Sequence, residues 1–194
     1  MPRVVREYKV QARERIVDAA RAVFRRKGFR ATTMEDIAGE LGVSKGAIYL
    51  YFRTKNELLG EIQARSRQQV LVAWERLLER GDVAEGIADS LRDVLSGDVD
   101  PGIWHELIGE AATNPEVRAT LEVDNRQDMR SMEEFLRRLE ARGRIRPLRD
   151  RKTVATMILA LLSATVLDLM LHGHSERARR SLIRSLRYLL ERDR

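Results

Sequence analysis

Cysteine is absent from all 194 residues, which excludes a disulfide framework, a thiolate metal site and a cysteine nucleophile. Proline is scarce, with four residues, and hydrophobic residues make up 43%; both argue against a disordered chain. There is no phosphate-binding glycine loop, no nucleophile motif and no metal-ligand spacing, so neither an enzyme nor a bound metal or cofactor is expected. The N-terminal run MPRVVREYKVQARER has no apolar stretch, so no secretory signal is expected and the chain is read as cytoplasmic. Strand alternation is missing from neighbouring segments, which makes an all-α fold the expectation. Long hydrophobic runs are missing too, with one exception. Val154 to Leu171 carries a single charge, Asp168, in eighteen residues. That length is the lower limit for a membrane span, but Thr156, Ser163 and Thr165 dilute the run and Arg151-Lys152 flank it. The expected reading is burial between the chain's own core and a second subunit, with no membrane partner.

What the chain does carry is concentrated in residues 32–59, TTMEDIAGELGVSKGAIYLYFRTKNELL. Met34, Ile37, Ala38 and Leu41 are spaced i, i+3, i+4, i+7, one apolar stripe on a short helix. Gly42 follows where a left-handed residue ends a helix. Ser44 then opens a second helix, Lys45 to about Tyr51, by accepting its first backbone N–H bonds. Two short helices about a glycine turn predict a helix-turn-helix whose second helix lies in the major groove of double-stranded DNA. The same spacing also fits a plain helical hairpin.

Charge favours DNA. The chain has 36 Lys+Arg and 30 Asp+Glu, a surplus of +6. Residues 1–60 hold 13 basic and seven acidic side chains, a difference of +6, leaving 23 of each sign in residues 61–194. The whole surplus thus surrounds the helix-turn-helix pattern, a layout that a polyanion rewards through counterion release. An anionic membrane surface would need bulky apolar anchors that residues 1–15 lack. Arg3, Arg6 and Lys9 suit either a minor-groove arm or a disordered basic tail.

Helical signals continue along the chain. A first helix is expected from about Gln11 to Lys27, ended by Gly28. Thr32 or Thr33 caps the next, and Thr32 with Glu35 has capping-box spacing. Thr54 with Glu57 makes another box, opening a helix near Lys55 that continues towards Leu78. Further helices are expected at about Val83 to Leu95, Ile103 to Ala112, from Pro115 to Arg142, at 151–172 behind Asp150, and from Ser175 onward.

The pattern Phe24, Gly28, Thr32-Thr33, Ile37-Ala38, Gly42-Val43-Ser44-Lys45-Gly46, Ile48-Tyr49, Tyr51-Phe52, Lys55 and Leu58-Leu59 resembles the TetR family of bacterial and archaeal transcriptional regulators. The motif likeness covers roughly residues 11–60. It implies a three-helix DNA-binding domain at 1–54 and a helical ligand-binding and dimerisation domain at 55–194. By this resemblance the expected DNA contacts are Thr33, Ser44, Lys45, Gly46, Ala47, Tyr49, Tyr51 and Lys55. Thr33 and Tyr49 match family phosphate contacts, and Lys55 matches a second clamp on the backbone. Gly46 and Ala47 allow close approach, and Ala47 suits a thymine methyl. Leu50 and Tyr51 depart from residues common at their positions, which leaves base preference open.

The resemblance also implies a homodimer built on the last two helices, with Leu161, Thr165, Asp168, Leu182, Leu186 and Leu189 in the interface. Asp168 needs a partner such as Arg180 or Arg184 if buried, or none if exposed at the helix end. A small-molecule effector pocket would draw on Trp74, Leu95, Trp104, His105, Ile108, Met129, Met132, Phe135 and Met157. Core packing explains the same residues. The expected function is a ligand-responsive regulator, a repressor released by a small apolar effector such as an acyl chain or aromatic compound. The alternative is a sequence-tolerant architectural DNA-binding protein without an effector.

Overall fold

Helix-forming side chains run without a breaker from Arg3 onward, so α1 spans Arg3–Lys27 and starts earlier than apolar periodicity alone indicates. The computed structural model describes residues 3–96, 101–173 and 176–191, with side chains described at 7–91, 102–173 and 176–191. After α1 come α2 (Met34–Leu41), α3 (Lys45–Tyr49), α4 (Lys55–Leu77), α5 (Val83–Ser96) and α6 (Pro101–Ala111). The order closes with α7 (Pro115–Ala141), α8 (Arg151–His172) and α9 (Glu176–Leu190). Among the described residues there is no strand. The side chains of Arg3, Arg6 and Leu95, and the expected helix start at Ser175, lie outside the described residues.

Capping side chains set the helix starts, with one shift of register. Thr33, not Thr32, is the N-cap of α2, and its box partner is Asp36 rather than Glu35. The reason is tertiary: Thr32 is buried and its hydroxyl donates to the Gly28 carbonyl at 2.6 Å. At α4, Thr54 Oγ1 accepts the Glu57 N–H at 3.1 Å, while the Glu57 carboxylate takes the Arg53 N–H at 2.8 Å. Asp150 caps α8 as expected, accepting the Thr153 N–H at 3.0 Å.

Packing gathers the chain into two compact units, the first formed by residues up to Arg65 with Gly102–Glu122. This division does not follow a boundary at residue 54. Leu107 of α6 and Val117 and Leu121 of α7 share one core with Phe24, Phe29, Ile37, Ile48 and Leu58. Phe24 meets Phe29 edge-on at 5.2 Å.

The second unit comprises Ser66–Pro101 and Val123–Arg194. Trp74 stacks on Phe135 at 4.7 Å and donates its indole N–H to Ser90 Oγ at 3.0 Å. Arg67, largely buried, is held by Asp124 at 3.0 Å and Asp128 at 2.6 Å. Helix α9 turns Leu182, Ile183, Leu186 and Leu190 into this core and packs on α5 and α8.

Candidate nucleic-acid interface

Glycine chemistry sets the turn between α2 and α3. Gly42 has φ 67°, left-handed backbone that other residues adopt only with strain. Its position lets the Val43 N–H reach back to the Ala38 carbonyl at 3.0 Å. Ser44 then caps α3, its Oγ accepting the Ala47 N–H at 3.3 Å. Helix α3 ends at Tyr49, shorter than the expected run to Tyr51, with Leu50 as its C-cap. Ile48 points inward and is fully buried, and Phe52 just beyond is nearly so.

The outward face gathers most of the expected contacts. Thr33, Ser44, Lys45, Gly46 and Tyr49 are exposed, whereas Ala47 and Tyr51 are half-buried. A Cβ at Gly46 would meet nothing nearer than Ser44 Oγ at 3.8 Å, so the glycine leaves this face low rather than avoiding a clash. Leu50 is 82% exposed beside Tyr49. This apolar side chain stands bare at the end of α3.

Charges on this face are paired within the head. Lys45 bonds Glu35 and lies 5.6 Å from the Tyr49 ring. Lys27 meets Asp36 at 2.6 Å and Arg26 meets Glu40 at 2.7 Å. The Lys27 ammonium, with the Thr33 backbone and hydroxyl, pulls the Asp36 carboxyl down to about 2. Glu35 is likewise lowered, chiefly by its hydrogen bond from Lys45.

Lys55 is placed differently from the rest. Its ammonium donates to the carbonyls of Phe29, Arg30 and Thr32 at 2.9, 3.1 and 3.2 Å and lies 4.6 Å from the Phe29 ring. Burial lowers its pKa, against the charges of Glu110 and Glu106. All three ammonium protons have acceptors inside the protein.

Known proteins share this head. Residues 16–62 match the model of the bacterial regulatory proteins, tetR family. The HTH-type transcriptional regulator YfiR of Bacillus subtilis is 31% identical over 166 residues, covering 81% of this chain and 80% of YfiR. The chain belongs to the TetR family. It is a transcriptional regulator and not an enzyme. Fold likeness extends over most of the chain: Salmonella enterica GusR superposes with TM-score 0.76 at 24% identity, covering 93% of this chain and 95% of that one. SmeT, solved as a triclosan complex, gives TM-score 0.68 at 22% identity over 94% of this chain and 93% of that one.

Within this TetR-family chain the remaining candidates scatter. Trp104, His105 and Ile108 lie on α6 in the first unit, Trp104 packed against its core and Ile108 exposed. Trp74, Met132 and Phe135 are buried in the second core, with Met129 partly buried at its edge. Met157 lines an open groove of about 710 Å³ on α8 and α9 together with Leu161, Arg184, Tyr188 and Leu189. Leu182 and Leu186 belong to the chain's own interior, because α5 and α8 cover them. The outward side of α9 is therefore Arg184, Ser185, Tyr188 and Leu189. On α8, Thr165 is half-buried and its hydroxyl donates to the Leu161 carbonyl at 2.8 Å. Asp168 stands 3.2 Å from His172 one turn on, its side chain 44% exposed.

Proposed function

We propose that this TetR-family regulator is a homodimeric repressor that binds a pseudo-palindromic operator and is released by a small, largely apolar effector. The observation that carries the DNA reading is the outward face of α2 and α3, where Thr33, Ser44, Lys45, Tyr49 and Leu50 stand exposed within the first 60 residues, which hold the whole basic surplus. Thr33, Ser44 and Tyr49 offer hydroxyls to phosphates, and Lys45 exchanges Glu35 for the DNA backbone or a guanine edge. Gly46 and Ala47 bring the helix backbone close, and Leu50 reaches a thymine methyl. Tyr51 supports this face from a half-buried position. Lys55 contributes by holding the turn before Thr33, not by a free charge.

The dimer reading rests on α8. It is long and apolar enough to cross a membrane, yet only 17% of its apolar window is buried within the chain. Leu171, 69% exposed, and Tyr188, 83% exposed, continue the same uncovered surface. A second copy in an α8/α9 four-helix bundle covers that area, as expected for bundle helices. The effector reading is supported by the aromatic and methionine content of the second unit and by SmeT having been solved with triclosan bound. A regulator of this kind works in the cytoplasm, where the DNA is.

Selection of duplexes from a random-sequence pool, followed by footprinting, tests the proposal. The expected result is a two-fold symmetric site with half-sites about one helical turn apart. Mass spectrometry of ligand retained by the purified protein, with thermal shifts by apolar compounds, tests the effector. Binding without sequence preference would favour an architectural role instead.

A further inference from the structure

A carboxylate from outside the helix-turn-helix grips the turn that leads into it. Glu106 of α6 lies beyond the residues 16–62 that match the family model. Its Oε2 accepts the Phe29 N–H at 2.8 Å and its Oε1 the Arg30 N–H at 2.6 Å. The approach depends on Gly28, which has φ +80° and where a Cβ would stand 2.8 Å from that same Oε2. Lys55 holds the carbonyls of the same turn, and Thr32 ties it to Gly28. The peptide groups of residues 28–32 are thus held between one carboxylate and one ammonium. The next residue, Thr33, is the N-cap of α2. Leu107, fully packed into the first core, anchors α6 beside this turn.

We propose that Glu106 is a positioning residue for DNA binding, so that α6 completes the DNA-reading head of this chain. The inference rests on the DNA-binding reading above. The two amides meet different oxygens of Glu106, and in that arrangement a carboxylate accepts at both positions whereas a carboxamide accepts at one. Glu106→Gln keeps the size but turns an N–H against one of the two amides. Charge alone predicts the opposite outcome, because removing an acid from a DNA-binding head strengthens attraction to a polyanion. The sign of the change therefore separates positioning from electrostatics.

The experiment compares the wild type, Glu106→Gln and Glu110→Gln on the duplex that the wild type selects, at fixed salt. Glu110 lies one turn along the same helix, 3.9 Å from the Arg30 guanidinium and bonded by Asn114, but does not touch the two amides, so its variant removes a nearby charge while both amide bonds stay in place. Glu106→Gln is expected to bind about tenfold more weakly, the scale of one charge-assisted hydrogen bond, while Glu110→Gln binds equally or more tightly. Hydrogen exchange is expected to find the Phe29 and Arg30 amides protected in the wild type and faster in Glu106→Gln. If Glu106→Gln does not fold, Glu106→Asp takes its place, keeping the charge with a shorter reach, and is also expected to weaken binding. Unchanged or tighter binding by the folded Glu106 variant overturns the proposal. So does exchange of the two wild-type amides at unprotected rates. A wild type that selects no duplex overturns the DNA-binding reading as well, whereas a failure confined to the Glu106 comparison overturns this inference alone.

Discussion

Helices α2 and α3 of the first unit have eight and five residues, whereas α8 of the second has 22, and α7, shared by both units, has 27. Helices as short as the first pair do not persist alone in water, because nucleation is not repaid over so few hydrogen bonds. They exist here through caps and one shared core: Thr33, Ser44 and Gly42 settle their ends, while Ile37 and Ile48 bury completely. With burial finished internally, their outer face carries mainly hydroxyls and charges ready for another polar molecule. The second unit is the reverse. Its helices are longer, but α8 leaves Met157, Leu167, Met170 and Leu171 uncovered. One unit is complete and offers polar groups; the other is unfinished and asks for apolar cover.

The sharpest way to break this contrast is to open the first core. Phe24 is 1% exposed and braced by Phe29. Phe24→Ala is expected to cost about 3–5 kcal/mol and to abolish DNA binding, because α2 and α3 pack on that core. Urea unfolding followed by circular dichroism measures it. A loss well under 1 kcal/mol would mean that the short helices do not depend on that core.

Next in size is the uncovered face. Leu161→Glu places a carboxylate in the α8/α9 groove, at a side chain that edges the core holding Leu182 and Leu186 without being buried in it. Sedimentation is expected to find a helical monomer, and operator affinity should fall on the order of a hundredfold as the two heads lose their linkage. A variant that still sediments as a dimer would move the interface elsewhere.

A third test asks which lysines face the DNA. Lys45→Ala is expected to weaken binding about tenfold and to reduce the slope of log K against log salt by about one. Lys55→Ala should lower the melting temperature, since three carbonyls lose their donor, while leaving that slope unchanged. Equal slope changes in both variants would return Lys55 to the phosphate contacts.

Local signals explain what the sequence revealed. The stripe of Met34, Ile37 and Ala38, the turn at Gly42 and the cap at Ser44 each need only a few neighbouring residues, and all appear in the fold. Where two local solutions compete, the fold decides. Thr32-Thr33 and Glu35-Asp36 allow two capping boxes, and only the buried bond from Thr32 to Gly28 selects Thr33 with Asp36. The resemblance implied Leu182 and Leu186 as interface residues, but only the fold gives what covers them. The cover proves to be α5 and α8 of the same chain. Glu106 gave no signal, because the amide it takes at Phe29 is 77 residues away.

The smallest expected effect is a pH dependence confined to the first unit. Lys27 is the main reason that the Asp36 carboxyl falls from its ordinary 3.8 to about 2, with the Thr33 backbone and hydroxyl adding to it. A carboxylate depressed by folding contributes stability that is present above its unfolded value and lost as pH falls through the folded one. The contribution of Asp36 should therefore be intact above pH about 4 and gone below about 2. Melting temperature measured across that window should fall more steeply for the wild type than for Asp36→Asn, which keeps an acceptor for the Thr33 cap but not the charge. High salt should narrow the difference, because the Lys27–Asp36 pair is open to solvent. Parallel curves for the two proteins would mean that the charge of Asp36 adds nothing to the cap, and that hydrogen bonding alone holds the start of α2.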